Sequence, residues 1–425
     1  MNILEIIENK KNNKILSREE INYVIDNYMN NEIKDYQMSS LLMSICINGM
    51  NDDETIDLVE AMLKDSKILD LSSINGICVD KHSTGGVGDK TSLIVVPIVA
   101  ALGGYVMKLS GRSLGFTGGT IDKLESINNF NVNLKMDDIV EQVNNINACI
   151  CYTSSEMVLA DKKIYALRSE SGTVDSIPLI ASSIMSKKIA GGTNNIIIDL
   201  KVGNGALMKD LTSATELGKL MIKIGKKFDK KVICILSNMN EPLGNNIGNR
   251  LEVIEAINVL EGKGEESLTE LCSVLASNMV SLSLNIDLEE ASRRVNDVIT
   301  TGKAVEKFKE IVKYQKGNLD NLEINAEIIE IISSNDGYIT HIDSEKLGFI
   351  SNELAKSDNS LTHTMDNNAG IIINKKINDY VNIGDVLCSV YLNKTYNNIN
   401  KEVENCFKLE NNKVEKEPLI FKILK

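Results

Sequence analysis

The chain has 425 residues and 43% of them are hydrophobic, so it is long enough for two or three domains that each bury a core. The net charge of −13 and the lack of any block of lysines or arginines argue against a nucleic-acid surface, so an anionic ligand would need a local positive pocket. Three histidines argue against a histidine-ligated zinc site, and the eight scattered cysteines predict reduced core thiols.

Residues 1–67 predict a small all-helical domain. Ser17-Arg18-Glu19-Glu20 has the pattern of a capping box before apolar residues at helical spacing, and Asp53-Glu54 starts a further helix.

The first residues lack a basic start followed by an apolar core, and no later run approaches the length of a membrane span. We therefore expect a cytoplasmic protein that does not bind a membrane.

From residue 76 the pattern changes to short apolar runs separated by helical stretches. This alternation predicts a mostly parallel α/β sheet within residues 68–315, with ligands at the carboxyl ends of its strands. The predicted strands are 76–79, 105–109, 148–152, 195–200 and 231–236.

The glycine-rich segment 80–92 lies between the first predicted strand and a predicted helix. Glycines let backbone N–H groups approach an oxyanion, Ser83 and Ser92 add hydroxyl donors, and Lys81 adds charge. His82 is the residue of this segment that titrates near neutral pH. A Gly-Gly-x-Gly loop alone fits a simple tight turn equally well. The segment also contains a cation, an imidazole and several hydroxyls, and it lacks the spacing of a Walker loop or of a dinucleotide-binding loop. These features favour a phosphate that takes part in the reaction over the phosphates of a bound nucleotide.

Two later segments add polar groups. Lys108 and Ser110 follow the second predicted strand, and Thr120 opens a helix after a glycine-rich connection that could equally be structural. Residues 160–168 and 180–189 predict helices. On the second helix Ile180, Ser183 and Lys187 form one stripe, and this mixture of an apolar group, a hydroxyl and a cation suits a flat heterocycle. By periodicity alone, a lysine at this position is more often an exposed, solvated residue.

Beyond a polar linker that begins at residue 315, residues 326–425 predict a C-terminal β-rich (α+β) domain. The segment 375–387 has the hairpin character of a lipoyl-like sandwich but lacks the exposed tip lysine of a carrier domain, so we interpret it as architectural. The predicted fold class is α/β, with a small helical domain, a mostly parallel sheet domain and this third domain.

Segment 80–89 resembles the signature of the pyrimidine-nucleoside and thymidine phosphorylases, Asp-Lys-His-Ser-Thr-Gly-Gly-Val-Gly-Asp, at all ten positions. The similarity continues through 110–112, 118–126 and 176–188 and spans essentially the whole chain. It implies a pentosyltransferase of pyrimidine salvage that reversibly cleaves uridine, thymidine or deoxyuridine with phosphate. The products are the free base and α-D-(deoxy)ribose 1-phosphate. The resemblance also implies a homodimer. Residues 160–190 are expected to return to the helical domain.

The same resemblance assigns roles to individual residues. His82, Arg168 and Lys187 become the catalytic residues that stabilise the leaving pyrimidine anion, and Arg168, Ser183, Lys187 and Ile180 bind the base. Phosphate is itself the nucleophile, so no serine or cysteine nucleophile is required. The residues expected to hold it are Lys81, Ser83, Ser92, Lys108, Ser110 and Thr120.

The resemblance implies no organic cofactor, but it does imply a bound K⁺ near the phosphate loop. Most ligands would be main-chain carbonyls, and on sequence alone Glu255 fits an exposed helical face equally well. The matching positions are Gly88, Lys90, Leu243, Asn246 and Glu255.

Several positions depart from the family pattern near the expected site. Phe116 replaces a histidine, Tyr152-Thr153 a Gly-Gln pair, Leu159 a proline and Leu207 a phenylalanine, and 169–173 replaces Asp-Val-Thr-Ala-Thr. These changes keep open a thymidine-restricted phosphorylase and a degenerate paralogue that binds nucleoside or phosphate without catalysis. A related phosphoribosyltransferase would need a diphosphate and magnesium site, and no suitable acidic pair stands beside the loop.

Overall fold

The computed structural model describes residues 1–112, 116, 118–152, 157–356 and 365–425. Within them the predicted fold class is confirmed: a helical bundle, a mostly parallel α/β sheet domain and a C-terminal β-rich domain. Thr153, one of the departures from the family pattern, lies outside the described residues.

The helical bundle is built from two separate parts of the chain. The predicted capping box is present, because the Ser17 hydroxyl accepts the Glu20 backbone N–H and the Glu20 carboxylate accepts the Ser17 N–H. Two later helices pack against the third and fourth, so residues 160–190 lie in this bundle. The six helices are α1 (Ile3–Lys11), α2 (Arg18–Met29), α3 (Asp35–Asn48), α4 (Asp52–Leu63), α8 (Leu159–Ser171) and α9 (Ile177–Ala190).

The central sheet has six strands in the order β13-β5-β4-β1-β2-β3. All pairs are parallel except the edge pair of β13 with β5. The strands are β1 (Cys78–Ser83), β2 (Tyr105–Ser110), β3 (Ala148–Tyr152), β4 (Asn195–Val202), β5 (Lys231–Asn238) and β13 (Ile420–Leu424). Strand β13 lies within the segment predicted as the C-terminal domain, because its partner β5 is almost two hundred residues earlier and leaves no local signal.

The first strand differs from its prediction in a way that matters for the site. It runs to Ser83 instead of ending at residue 79, because pairing with β4 continues as far as Ser83 opposite Asp199. Residues 80–83 are therefore strand residues whose side chains alternate between the two faces of the sheet. Asp80 and His82 point towards the helical bundle, whereas Lys81 and Ser83 point to the opposite face.

Helices cover both faces of the sheet, and the helical bundle shares one apolar core with the sheet face that it covers. Contrary to the sequence expectation, α12 is long and apolar enough to cross a membrane, but its apolar residues pack in the core of the opposite face. The remaining helices of this domain are α5 (Thr91–Ala101), α6 (Thr120–Glu125), α7 (Met136–Ile146), α10 (Leu211–Lys227), α11 (Asn249–Leu260), α12 (Glu266–Leu284), α13 (Leu288–Thr300) and α14 (Lys303–Tyr314).

The C-terminal domain contains a three-stranded sheet, β10-β8-β12, and a four-stranded sheet, β6-β9-β11-β7. Strand β6 comes from the loop before α11, so this loop is hydrogen-bonded to the third domain through β9. The elements are β6 (Asn246–Ile247), β7 (Glu327–Ile332), β8 (Gly337–Ile342), α15 (Ser344–Ala355), β9 (Gly370–Ile373), β10 (Tyr380–Val381), β11 (Val386–Leu392), α16 (Ile399–Glu404) and β12 (Phe407–Glu410).

Candidate active site

His82 lies near the carboxyl end of β1, half-buried on the face that meets α9. Burial and the positive charges of four lysines lower the pKa of His82 well below its ordinary value. The imidazole is therefore neutral at neutral pH, with one nitrogen that donates and one that accepts. The lysines, in order of their effect, are Lys188, Lys108, Lys187 and Lys81.

Lys108 and Lys188 form a positive cluster beside His82. Their ammonium groups both donate to the Leu109 carbonyl, at 3.0 and 2.8 Å, and Lys188 also pairs with Asp80 at 2.7 Å. No carboxylate in the described residues lies within ion-pair distance of Lys108, whose other contact is the Ser110 hydroxyl at 3.4 Å. Burial, followed by the Lys188 charge, lowers the pKa of Lys108 well below its usual range. The charges of this cluster suit an anion, and the phosphate contacts expected of Lys108 and Ser110 remain a prediction.

Lys81 lies on the other face of β1 and makes contacts of a different kind. Its ammonium is completely buried on the opposite sheet face, 3.1 Å from Asp199, and it donates to the Thr91 hydroxyl at the start of α5. The structure does not bring it to the Lys108 cluster, because adjacent residues of a strand face opposite ways. These contacts hold β1 against the start of α5, and the direct phosphate contact expected of Lys81 remains a prediction.

The hydroxyls predicted to bind phosphate lie at the loop and at two helix starts. The Ser83 hydroxyl accepts the Gly85 N–H at 3.2 Å, so it shapes the loop. Ser92 is buried in the first turn of α5, and Thr120 is the first residue of α6. The Thr91 N–H donates to the Asp89 carboxylate and the Ile121 N–H donates to the Gly111 carbonyl, so the phosphate contacts expected at these two helix starts remain a prediction.

Lys187 marks the second half of the site, on α9. Its ammonium donates to the Ser183 hydroxyl at 2.8 Å and forms an ion pair with Asp161. Ser183 and Ile180 are buried on the same helix, so the predicted stripe is present in the structure. Lys187 is close enough to His82 for its charge to lower the pKa of the imidazole.

Arg168 is held by the protein backbone. Its guanidinium donates to the carbonyls of Thr173, Val174 and Leu179 at 2.8 to 3.0 Å, and only 2% of the residue is exposed. Burial lowers its pKa. The guanidinium therefore fixes the turn between α8 and α9, which is the segment in which the sequence departs from the family pattern. Its predicted contact with the base remains a prediction.

Two residues that were not predicted as site residues link these groups. Asp161 pairs with Lys187, and the Tyr165 ring lies 5.5 Å from the Lys187 ammonium and 5.6 Å from the Arg168 guanidinium. Asp161, Tyr165 and Arg168 are spaced four and three residues apart, so they share one face of α8. That spacing was a signal available in the sequence.

The five positions predicted to bind K⁺ do come together, but around an ammonium group. Lys90 donates to the carbonyls of Leu243 and Asn246 at 3.0 and 2.8 Å and pairs with Glu255. A Cβ on Gly88 would lie 2.7 Å from the Leu243 carbonyl, so Gly88 adjoins the same group. Glu255 is buried, which rules out the exposed helical face that the sequence alone allowed.

Three departures from the family pattern lie away from these contacts. The Phe116 ring packs on Phe349 of α15, with ring centroids 5.4 Å apart, and so contacts the C-terminal domain. Leu159 is exposed at the start of α8, and Leu207 packs against the core that the sheet shares with the helical bundle.

Comparisons with known proteins agree with this architecture. The α/β-domain model of the glycosyl transferase family matches residues 75–305, its helical-bundle model matches 4–66, and the pyrimidine nucleoside phosphorylase C-terminal domain matches 338–410. The anthranilate phosphoribosyltransferase of Thermus thermophilus has the same fold over 73% of this chain and 99% of its own, with a TM-score of 0.60 and 15% identity.

Curated relatives extend the match to the full chain. The chain is 43% identical to a pyrimidine-nucleoside phosphorylase of Staphylococcus epidermidis over 100% of both proteins. It is 45% identical to that of Staphylococcus haemolyticus and 43% identical to that of Geobacillus stearothermophilus, each over 93% of both chains. With all three domains matched at this identity, the chain belongs to the pyrimidine-nucleoside phosphorylase family of glycosyl transferases.

Proposed function

We propose that this enzyme catalyses the reversible phosphorolysis of uridine, thymidine and deoxyuridine. Its relatives are named pyrimidine-nucleoside phosphorylases, which supports the class of substrate. The observation that supports the proposal is that His82 lies on the sheet face covered by α9, where the charges of Lys108, Lys188 and Lys187 all act on its imidazole. Lys108, which has no carboxylate of the described residues at ion-pair distance, would meet phosphate, and Lys187, held by Asp161 and Ser183, would meet the base.

Phosphate would bind at Lys108 and Ser110, at the carboxyl end of β2. An anion there would compensate the buried Lys108 charge, which is costly to keep without a counter-ion. Phosphate held in this way can attack C1′ of the nucleoside from the face opposite the base. The protein's contribution to this step is alignment of the reactants.

Charge on the leaving base sets the requirement for the other half of the site. As the glycosidic bond breaks, the sugar becomes oxocarbenium-like and negative charge moves onto the pyrimidine. Neutral His82 can donate a hydrogen bond to O2, and Lys187 can meet the charge on the far edge of the ring. A donor that acts only in the transition state is worth about 2.7–4 kcal/mol.

A charge-removing variant tests this assignment. Lys187→Ala should abolish most release of free base from uridine, thymidine and deoxyuridine in the presence of phosphate, while circular dichroism shows an intact fold. Lys162→Ala, on an exposed position of α8, is the matched control and should retain full turnover. Near-normal turnover by Lys187→Ala would refute the assignment.

The same assay separates the alternatives. Base release from thymidine alone would identify a thymidine-restricted phosphorylase. Nucleoside binding without base release from any of the three substrates would favour the degenerate paralogue, which the departures at Phe116 and 169–173 motivate.

We further propose a cytoplasmic homodimer. All eight cysteines are free in the structure, which suits a reducing compartment. The dimer rests on the family resemblance, and light scattering of the purified protein, with a mass near twice the 46.8 kDa of one chain, is its test.

A further inference from the structure

The Lys90 ammonium lies in a pocket of oxygen atoms where the family resemblance implies a K⁺ ion. Its Nζ contacts the Leu243 and Asn246 carbonyls and the Glu255 carboxylate, and its side chain is completely buried. We propose that Lys90 takes the place of the monovalent cation. This enzyme therefore binds no K⁺ at this position and does not need it.

The contacts of the ammonium are the kind that a K⁺ ion makes. Ring-like sets of backbone carbonyls coordinate K⁺ by replacing its hydration shell, and here two carbonyls direct their oxygens at a single buried positive charge. An ion at this point would have to share the same oxygens with the ammonium. The residues present therefore fit an ammonium or a K⁺ ion, but not both.

The charged groups around Lys90 also argue against a bound K⁺ ion. Besides Lys90, the Glu255 carboxylate accepts the backbone N–H groups of Asn245 and Asn246, at 2.6 and 3.0 Å. Lys376 brings a second ammonium nearby, which donates to the carbonyls of Pro242 and Gly244. A further cation would be repelled by both lysines in a poorly solvated setting, where such repulsion is strong.

The position of Lys90 gives the ammonium a mechanical role. Lys90 is the N-cap of α5 and directly follows the glycine loop, while Asn246 begins strand β6, which pairs with the C-terminal domain. The Leu243 N–H also donates to the Val87 carbonyl at 3.1 Å. The Lys90 ammonium thus connects the glycine loop to the third domain. A bound K⁺ ion could dissociate and break this connection, whereas a covalently attached ammonium cannot.

Cation exchange on the wild-type enzyme is the first test. We expect the thermal midpoint, and the kcat and KM for phosphate, to be unchanged when K⁺ is replaced by choline at constant ionic strength. A selective rise in the thermal midpoint with K⁺ in the wild-type protein would overturn the inference, whatever its substrates prove to be.

The variant Lys90→Ser provides the second test, because it removes the ammonium and leaves the carbonyls and Glu255 in place. In choline its thermal midpoint should fall below that of wild type, and K⁺ should raise it by more than Na⁺ or choline does. A loss that no cation recovers, or that all cations recover equally, would contradict the proposal.

Lys10→Ser is the matched control, since Lys10 is equally buried and paired with a carboxylate, Glu54, but is remote from this pocket. It should lose stability without any preference for K⁺. If Lys90→Ser gives no folded protein in any salt, the wild-type cation exchange still decides, because a K⁺ effect there overturns the inference and its absence supports it.

Discussion

At the scale of single residues, His82 is unusual because its neighbours favour the neutral form of a group that titrates near neutral pH in water. Burial and the nearby lysine charges both disfavour the imidazolium. Acidification should therefore charge the histidine in the unfolded chain before it does so in the folded protein. Between the ordinary pKa and the lowered one, the unfolded state binds more protons, so this residue makes stability fall as pH falls.

We predict that Lys108→Met raises the pKa of His82 towards its ordinary value, because one of the positive charges that disfavour the imidazolium is removed. Saturating phosphate should also raise it in the wild-type enzyme. Imidazole signals in NMR titrations can measure this, since the chain has only three histidines and His82→Gln assigns the resonance. Lys162→Met is the control. A His82 pKa that does not respond to either change would contradict the assigned phosphate position.

A second prediction concerns Asp161, which we regard as a positioning residue for Lys187. Asp161→Asn preserves volume but removes the ion pair, so Lys187 loses a fixed orientation. We expect kcat to fall on the order of 10²-fold, the typical effect of misplacing a catalytic group. The KM for phosphate should change little, because the phosphate position that we propose lies at Lys108, away from this ion pair. Glu170→Gln, exposed on the same helix, is the control, and an equal loss in that variant would show a merely structural effect.

At the scale of secondary structure, the sequence predicted what local patterns encode. Apolar periodicity located all five parallel strands, and turn chemistry located the glycine loop between β1 and α5. The stripe of Ile180, Ser183 and Lys187 was also predicted correctly, since helical spacing brings these residues to one face.

What the sequence could not predict depends on pairing between distant segments. The extension of β1 through His82 is stabilised by β4, more than a hundred residues later, and it moves Lys81 to the face opposite His82. The partners of Lys90 lie just as far away, at Leu243 and Asn246. A polar strand end resembles a loop when its neighbouring strand is unknown, so only the structure showed that Lys81 forms a buried ion pair with Asp199.

At the scale of the whole molecule, the three domains are joined by strands that cross their boundaries. Strand β13 extends the central sheet from the C-terminal side, and β6 extends a C-terminal sheet from the α/β side. Leu424 of β13 is buried in the core that the sheet shares with the helical bundle. These exchanges couple the stability of the sheet to the third domain.

We predict that Leu424→Ala lowers the free energy of unfolding by about 2 kcal/mol, near the lower limit for a buried leucine, because the site is at the sheet edge. A Cβ on Gly218 of α10 would lie 2.9 Å from the Leu424 side chain, so the contact is close. Lys422→Ala, exposed on the same strand, should change stability little. Urea denaturation followed by circular dichroism measures both, and equal effects would show that β13 is not anchored in the core.

The edge pairing of β5 with β13 also affects how the protein is made. Strand β5 is synthesised long before β13 leaves the ribosome, so its outer hydrogen-bonding groups stay open throughout translation of the intervening segment. During that time the nascent chain offers a ready template for another extended segment. A chaperone that shields this edge should increase the yield of active enzyme more than one that acts after release.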